Sequence, residues 1–199
     1  MPVSLRFNFK NLNITAVANG LNSSTVNANL FAGLGPVKNV VQIPGIAVID
    51  FEKYNVLVHP DGKRVVVTDM TGEASLASPI STMMSQIISA MPDINITALG
   101  FNYSYELLVQ GSTTEFLESY LVLTRFQSLG NLQTGGFKIS NQWKDRILHV
   151  SVDPVHNQSS LFSLLINHHF DGERDWLSIL TQFKELTTEA QELQKKIFQ

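Results

Sequence analysis

Three patterns in the chain predict an α+β fold: a largely antiparallel sheet of about 7–9 strands with three helices, the last long and C-terminal. Apolar and polar residues alternate with period two through most of the sequence. Turn residues follow those runs closely, which suits hairpins better than helical crossovers. An apolar seam at helical spacing closes the chain, through Trp176, Ile179, Phe183, Leu186, Ala190, Leu193 and Ile197.

Val3, Leu5, Phe7 and Phe9 alternate with Ser4, Arg6, Asn8 and Lys10, the pattern of a half-buried strand. Ile14, Ala16 and Ala18 continue it to a turn at Asn19-Gly20. Val26, Ala28 and Leu30 alternate with Asn27 and Asn29 and predict another strand. Val37 to Phe51 reads as extended, with a break or bulge at Pro44-Gly45. A hairpin follows, 55–59 against 64–68, because Pro60 presets the first turn position and Gly62 permits a positive φ.

Ser78-Pro79 predicts a helix start, with Ser as N-cap and Pro at the first helical position. Ile80, Met83, Met84, Ile87, Ile88 and Met91 form its apolar stripe, and Pro92 ends it. The next strand changes phase. Ile94, Ile96 and Ala98 share one parity, while Phe101, Tyr103, Tyr105, Leu107 and Val109 share the other. Two arrangements satisfy this: a β-bulge at Gly100, or a central strand covered on both faces.

Ser112 to Glu115 has the form of a capping box and opens a second helix through Phe116, Leu117, Tyr120, Leu121 and Thr124. After Gly135-Gly136, strands are expected at Phe137–Ile139, Leu148–Val152 and Phe162–Phe170. The terminal helix is expected over about 173–198. The whole chain, 1–199, reads as one domain with no linker, low-complexity segment or internal repeat.

Composition narrows the function classes. Apolar residues make up 44% and charged residues only 16%, and the formal net charge is -3. Basic residues cluster no further than the short pairs Lys63-Arg64 and Lys195-Lys196, so a phosphate backbone has little to hold and nucleic acid is not an expected partner. The chain has no cysteine, which removes disulfides, thiolate catalysis and Cys-based zinc sites together. No apolar run reaches the ~20 residues of a membrane span, and the N-terminus does not read as a signal peptide. A cytoplasmic protein without membrane partners is therefore expected. Five Asn-X-Ser/Thr triplets, at Asn13, Asn22, Asn95, Asn102 and Asn157, are read as a by-product of composition.

The histidines carry the chemistry worth testing. His149 and Asp153 share a strand face about 13 Å apart, too far for one metal ion to take both at ~2 Å. His168 and His169 point to opposite faces. His169 and Asp171 share a face at about 6.6 Å, within side-chain reach. His168 lies in the stripe of Phe162, Leu164, Ile166 and Phe170, where it is either a satisfied core residue or a pocket-lining group. Tyr103 and Tyr105 extend the aromatic stripe from Phe101, as core or as polar handles of a pocket. The motifs of nucleophile elbows, P-loops and zinc proteases are absent. No metal and no cofactor are expected.

The leading expectation is a non-catalytic protein that self-associates, as a homodimer, and acts through protein contacts. Its expected interface is the terminal seam: Trp176, Ile179, Phe183, Leu186, Leu193 and Ile197. The alternative is a small-ligand-binding or enzymatic domain whose pocket lies between sheet and helices near Tyr103, Tyr105 and His168. A structural protein of a virion or mobile element is a third reading, resting on neutral composition and strand content alone.

Overall fold

The computed structural model describes residues 3–120 and 135–198. The strands are β1 (Ser4–Asn19), β2 (Val37–Ile43), β3 (Ile46–Phe51), β4 (Tyr54–Val58), β5 (Arg64–Asp69), β6 (Asn95–Gln110), β7 (Phe137–Trp143), β8 (Arg146–Pro154) and β9 (Leu161–Asp171). The helices are α1 (Ile80–Ser89), α2 (Thr113–Tyr120), α3 (Trp176–Thr181) and α4 (Phe183–Ile197). All strands join one sheet in the order β2-β3-β4-β5-β1-β6-β9-β8-β7, and every neighbouring pair is antiparallel. The α+β class is thus the observed one.

The two halves of the chain follow a similar order of elements. Each half begins with a long strand, β1 or β6. A short helical segment follows, then a meander whose last strand returns to pair with the first. Each half ends in helix, α1 or α3–α4. The two long strands lie antiparallel and adjacent at the centre, and the meanders differ in size, four strands (β2–β5) in the first half and three (β7–β9) in the second. No internal repeat is legible because topology depends on where turns fall, and many residue choices satisfy one alternation.

The helices cover one face of the sheet. On that side Leu12, Ile14, Ala16, Leu99, Phe101, Tyr103, Leu107, Phe162, Leu164, Ile166 and Phe170 are buried. Methionines and isoleucines of α1 meet them, with Ile80, Met83, Met84 and Ile87 fully enclosed. Each such side chain contributes roughly 1.5–3 kcal/mol by leaving water.

Several local expectations are corrected. The residues after Val26 form a 3-10 turn, Ala28–Phe31, in place of a strand. Asn27 explains it, because its side chain accepts from the Asn29 N–H and caps the turn. The extended run 37–51 is a hairpin folded at Pro44-Gly45, with Gly45 at φ 82°. Ser78 does not cap α1. Its hydroxyl donates to the buried Asp69 (2.5 Å), and the helix starts one residue beyond Pro79.

The phase change in β6 is a bulge, but at Thr97 and not at Gly100: Val17 pairs with Ala98 and Ala18 with Ile96. A second bulge at Lys10 moves β1 from the parity of Phe7 and Phe9 to that of Leu12 and Ile14. The Ser112 cap forms, its hydroxyl accepting from the Glu115 N–H (3.2 Å). The expected helix positions Leu121 and Thr124 lie outside the described residues.

The terminal helix is split. α3 starts after Asp175, whose carboxylate accepts from the Ser178 N–H (3.1 Å). It ends at Gln182, where the backbone tightens to an i→i+3 bond onto Ile179. Thr181 donates back to the Ser178 carbonyl (2.6 Å), the kind of back-bond that bends helices.

Candidate functional site

Three regions hold candidate residues or unpaired groups: the core beneath α4, the face that carries no helix, and the two sheet edges.

Tyr103, Tyr105 and His168, the residues expected to line a pocket, all stand on the helix-covered face. Tyr103 and His168 are fully enclosed, and their rings meet edge to face at 5.9 Å. The Tyr103 hydroxyl lies 3.1 Å from that of Thr187, itself buried in α4. Tyr105 packs edge-on against Phe9, its hydroxyl buried without a hydrogen-bond partner among the described residues. Burial pushes the Tyr105 phenol up to about 12 and takes that of Tyr103 above the usual range. Neither is a ready proton donor at neutral pH.

His168 belongs to a buried charge cluster that the sequence reading passed over. Arg146 Nε donates to His168 Nδ1 at 3.1 Å, which places the proton of a neutral ring on Nε2. The Arg146 guanidinium pairs with Glu189 of α4 and reaches Asp145 at 3.2 Å. Glu189 also accepts from the Trp143 indole and lies 3.4 Å from Lys144. The Phe170 ring is flanked by Arg146 and Arg174, each with its guanidinium carbon 5.6 Å from the ring centroid.

Burial, then the Arg146 charge, push the His168 pKa down to about 4. Burial alone would raise the Glu189 carboxyl, but the Trp143 hydrogen bond and the Arg146 charge outweigh it and leave it below the usual range. The imidazole is neutral and enclosed, and its Nε2 is buried without a hydrogen-bond partner among the described residues. A signal was available: Arg146 shares its parity with Leu148, Val150 and Val152, and a charge in an apolar stripe needs a partner.

The opposite face carries a polar row that crosses the entire sheet. Asn39, Asp50, Asn55, Thr68, Asn13, Asn102, Asn167, His149 and Ser140 are successive cross-strand neighbours, one from each strand. Eight inter-strand steps make it about 38 Å long. Asn167 donates to Asn102 (2.8 Å) and Asn102 to Asn13 (2.8 Å). Asn39 and Asn55 both donate to Asp50, and Ser140 lies 2.7 Å from His149 Nδ1. The His149 and His169 rings meet at a tilt, 5.7 Å between centroids, on this face, and burial, then His169 and Lys138, lower the His149 pKa. Two of the Asn-X-Ser/Thr asparagines, Asn13 and Asn102, are the centre of the row.

Comparison with known protein families and with characterised proteins finds no match for this chain. Geometry alone must therefore carry the functional reading. Among the described residues, no group of three or more His, Asp or Glu side chains is placed to hold a metal ion. Among them too, no helix is long and apolar enough to cross a membrane.

The expected interface residues have specific places. Ile179, Phe183 and Leu186 are buried within this chain, and Trp176, Leu193 and Ile197 are partly buried against the same core. Most exposed apolar surface lies elsewhere, with Leu177 of α3 the exposed large apolar residue of the terminal helices. Among the described residues, nine large apolar side chains are exposed, and six of them stand on β2 and β7: Val37, Val40, Val41, Ile43, Ile139 and Trp143. These two strands are the edges of the sheet. An edge strand presents unpaired backbone N–H and C=O groups, so apolar side chains there make it a template for another strand.

Proposed function

We propose that the protein is a non-catalytic, self-associating protein that acts through protein contacts, and that its contact surface is the pair of sheet edges. The observation that carries this reading is the concentration of exposed apolar side chains on β2 and β7. A strand added at such an edge gains main-chain hydrogen bonds for affinity and side-chain fit for specificity. The histidine, tyrosine and arginine groups that most resemble catalytic ones are enclosed in the core, which supports a binding role over chemistry. A net charge of -3 and a row of neutral amides suit a protein partner better than a polyanion.

Light scattering over a concentration series tests the reading. The mass is expected to rise above the 22.1 kDa of one chain. A variant carrying both Val40→Lys and Ile139→Lys is expected to stay at the single-chain mass with an unchanged circular dichroism spectrum. A wild-type mass fixed at one chain at every concentration would remove the reading.

A further inference from the structure

Two imidazoles meet on the helix-free side of the sheet. His149 on β8 is the cross-strand partner of Asn167 on β9, and His169 stands two residues further along β9 on the same face. Register thus makes the two histidines diagonal neighbours on adjacent strands, within reach of each other's rings. Their centroids lie 5.7 Å apart, at an interplanar angle of 57°. Both residues are half-buried, so solvent reaches the pair.

That spacing suits one shared metal ion. An ion about 2.1 Å from a ring nitrogen lies about 3.2 Å from the ring centroid, once the ~1.1 Å from nitrogen to centroid is added. With one nitrogen of each ring turned inward, a tetrahedral angle at the ion sets the centroids about 5.2 Å apart and a linear one about 6.4 Å. The observed 5.7 Å falls between these limits. Ser140 Oγ lies 2.7 Å from His149 Nδ1, on the β7 side of the ring. A hydroxyl that accepts from Nδ1–H leaves the Nε2 lone pair to an ion and fixes the ring, as outer-shell partners of metal-bound histidines do. Among the described residues, no hydrogen bond engages His149 Nε2 or either nitrogen of His169. Burial, then His169 and Lys138, lower the His149 pKa, so the ring is neutral at pH 7, as a ligand must be.

We infer that His149 and His169 form a two-imidazole chelate for a divalent transition metal of the Cu2+, Ni2+ and Zn2+ class, with water completing the coordination. Imidazole selects these ions over Mg2+ and Ca2+, which take oxygen ligands. No third His, Asp or Glu among the described residues joins the pair, so the ion is exchangeable and the fold does not require it. Lys138, exposed on β7, opposes a bound cation. The site stands whether or not the chain self-associates.

Isothermal titration calorimetry of the intact chain with CuCl2, ZnCl2 and MgCl2 tests the inference. One ion per chain is expected, Cu2+ more tightly than Zn2+, with no binding of Mg2+. His149→Gln and His169→Gln should each weaken Cu2+ binding by roughly tenfold or more, and Ser140→Ala by roughly tenfold. Lys138→Gln should tighten it by roughly twofold, as loss of a screened surface charge does. His156→Gln, on an exposed turn, should leave it unchanged. Electron paramagnetic resonance of the Cu2+ form should show coupling to two nitrogens, and to one in either His149→Gln or His169→Gln. Circular dichroism checks that each variant keeps the fold. The chelate is overturned by His149→Gln and His169→Gln isotherms that match wild type, by an equal loss in His156→Gln, or by Mg2+ binding as well as Cu2+.

Discussion

The two faces of the sheet use polar residues in opposite ways. The helix-covered face buries few polar groups, and Arg146 and His168 among them are joined to Glu189 through one guanidinium. The helix-free face carries nine polar residues in a line, half-exposed or exposed, with partners shared between neighbours. A buried charge that loses its partner is left without water to replace it, whereas an exposed amide regains a hydrogen bond from solvent. The same kind of contact therefore carries very different energetic weight on the two sides, and substitutions should show it.

Arg146→Ala is the largest test. It strips Glu189 and His168 of their shared donor beneath α4, and a loss on the order of 3–5 kcal/mol is expected from breaking a buried pair. Urea unfolding should show it as a drop in midpoint with an unchanged slope. Replacing both charges, Arg146→Met with Glu189→Met, should cost much less than Arg146→Ala, since no unpaired charge remains. If the single and double variants cost the same, the cluster acts by packing alone and the contrast between the faces weakens.

Acidification should act next. The His168 pKa is pushed down to about 4 in the folded chain, against 6.5 when exposed. The unfolded state then binds more protons between those values. The stability from keeping the ring neutral is fully present above pH 6.5 and is lost as pH falls toward 4. That loss is on the order of 3 kcal/mol. Glu189, held below 4.5, adds its own loss only at lower pH, so the two windows separate. His168→Gln should flatten the stability profile between pH 6.5 and 4.5. His149 on the open face shifts in the same direction, but it is only half-buried, and His149→Gln should flatten the profile far less. Equal effects from the two variants would erase the distinction between faces.

How much of this was legible in the residues differs by scale. Strand existence followed from alternation, so Leu148–Val152 and Phe162–Phe170 landed where they were expected. The seam from Trp176 to Ile197 required a cover but not whose, since spacing states only which side is apolar. The chain's own core buries most of it. Bulges were harder. Gly100 looked like the irregular residue because glycine tolerates most backbone conformations, yet the extra residue is Thr97. The polar row was invisible for a different reason. Its members lie far apart in sequence, and only register brings Asn13 beside Asn102 and Asn102 beside Asn167. Arg146 alone was readable in advance, as the one charge within the apolar parity of β8.

Gly100 has a role on the open face that a small substitution can expose. It sits beside the row, paired with Thr15 on one side and His169 on the other. A Cβ built there would approach Asn167 Nδ2 to 2.9 Å. That atom ends a flexible side chain, so the amide can swing away, but doing so breaks its 2.8 Å bond to Asn102. A neutral hydrogen bond is worth about 1 kcal/mol net. Alanine offsets part of this by reducing the freedom of the unfolded chain, by roughly 0.4–1 kcal/mol. Gly100→Ala should therefore destabilise by less than ~1 kcal/mol, the smallest effect of the series. A double-mutant cycle decides whether the close approach is the cause. With Asn167→Ala in the background there is no amide to displace, and Gly100→Ala should become neutral or slightly stabilising. An equal cost in both backgrounds would mean that backbone conformation, and not room for the asparagine ladder, is what requires glycine here.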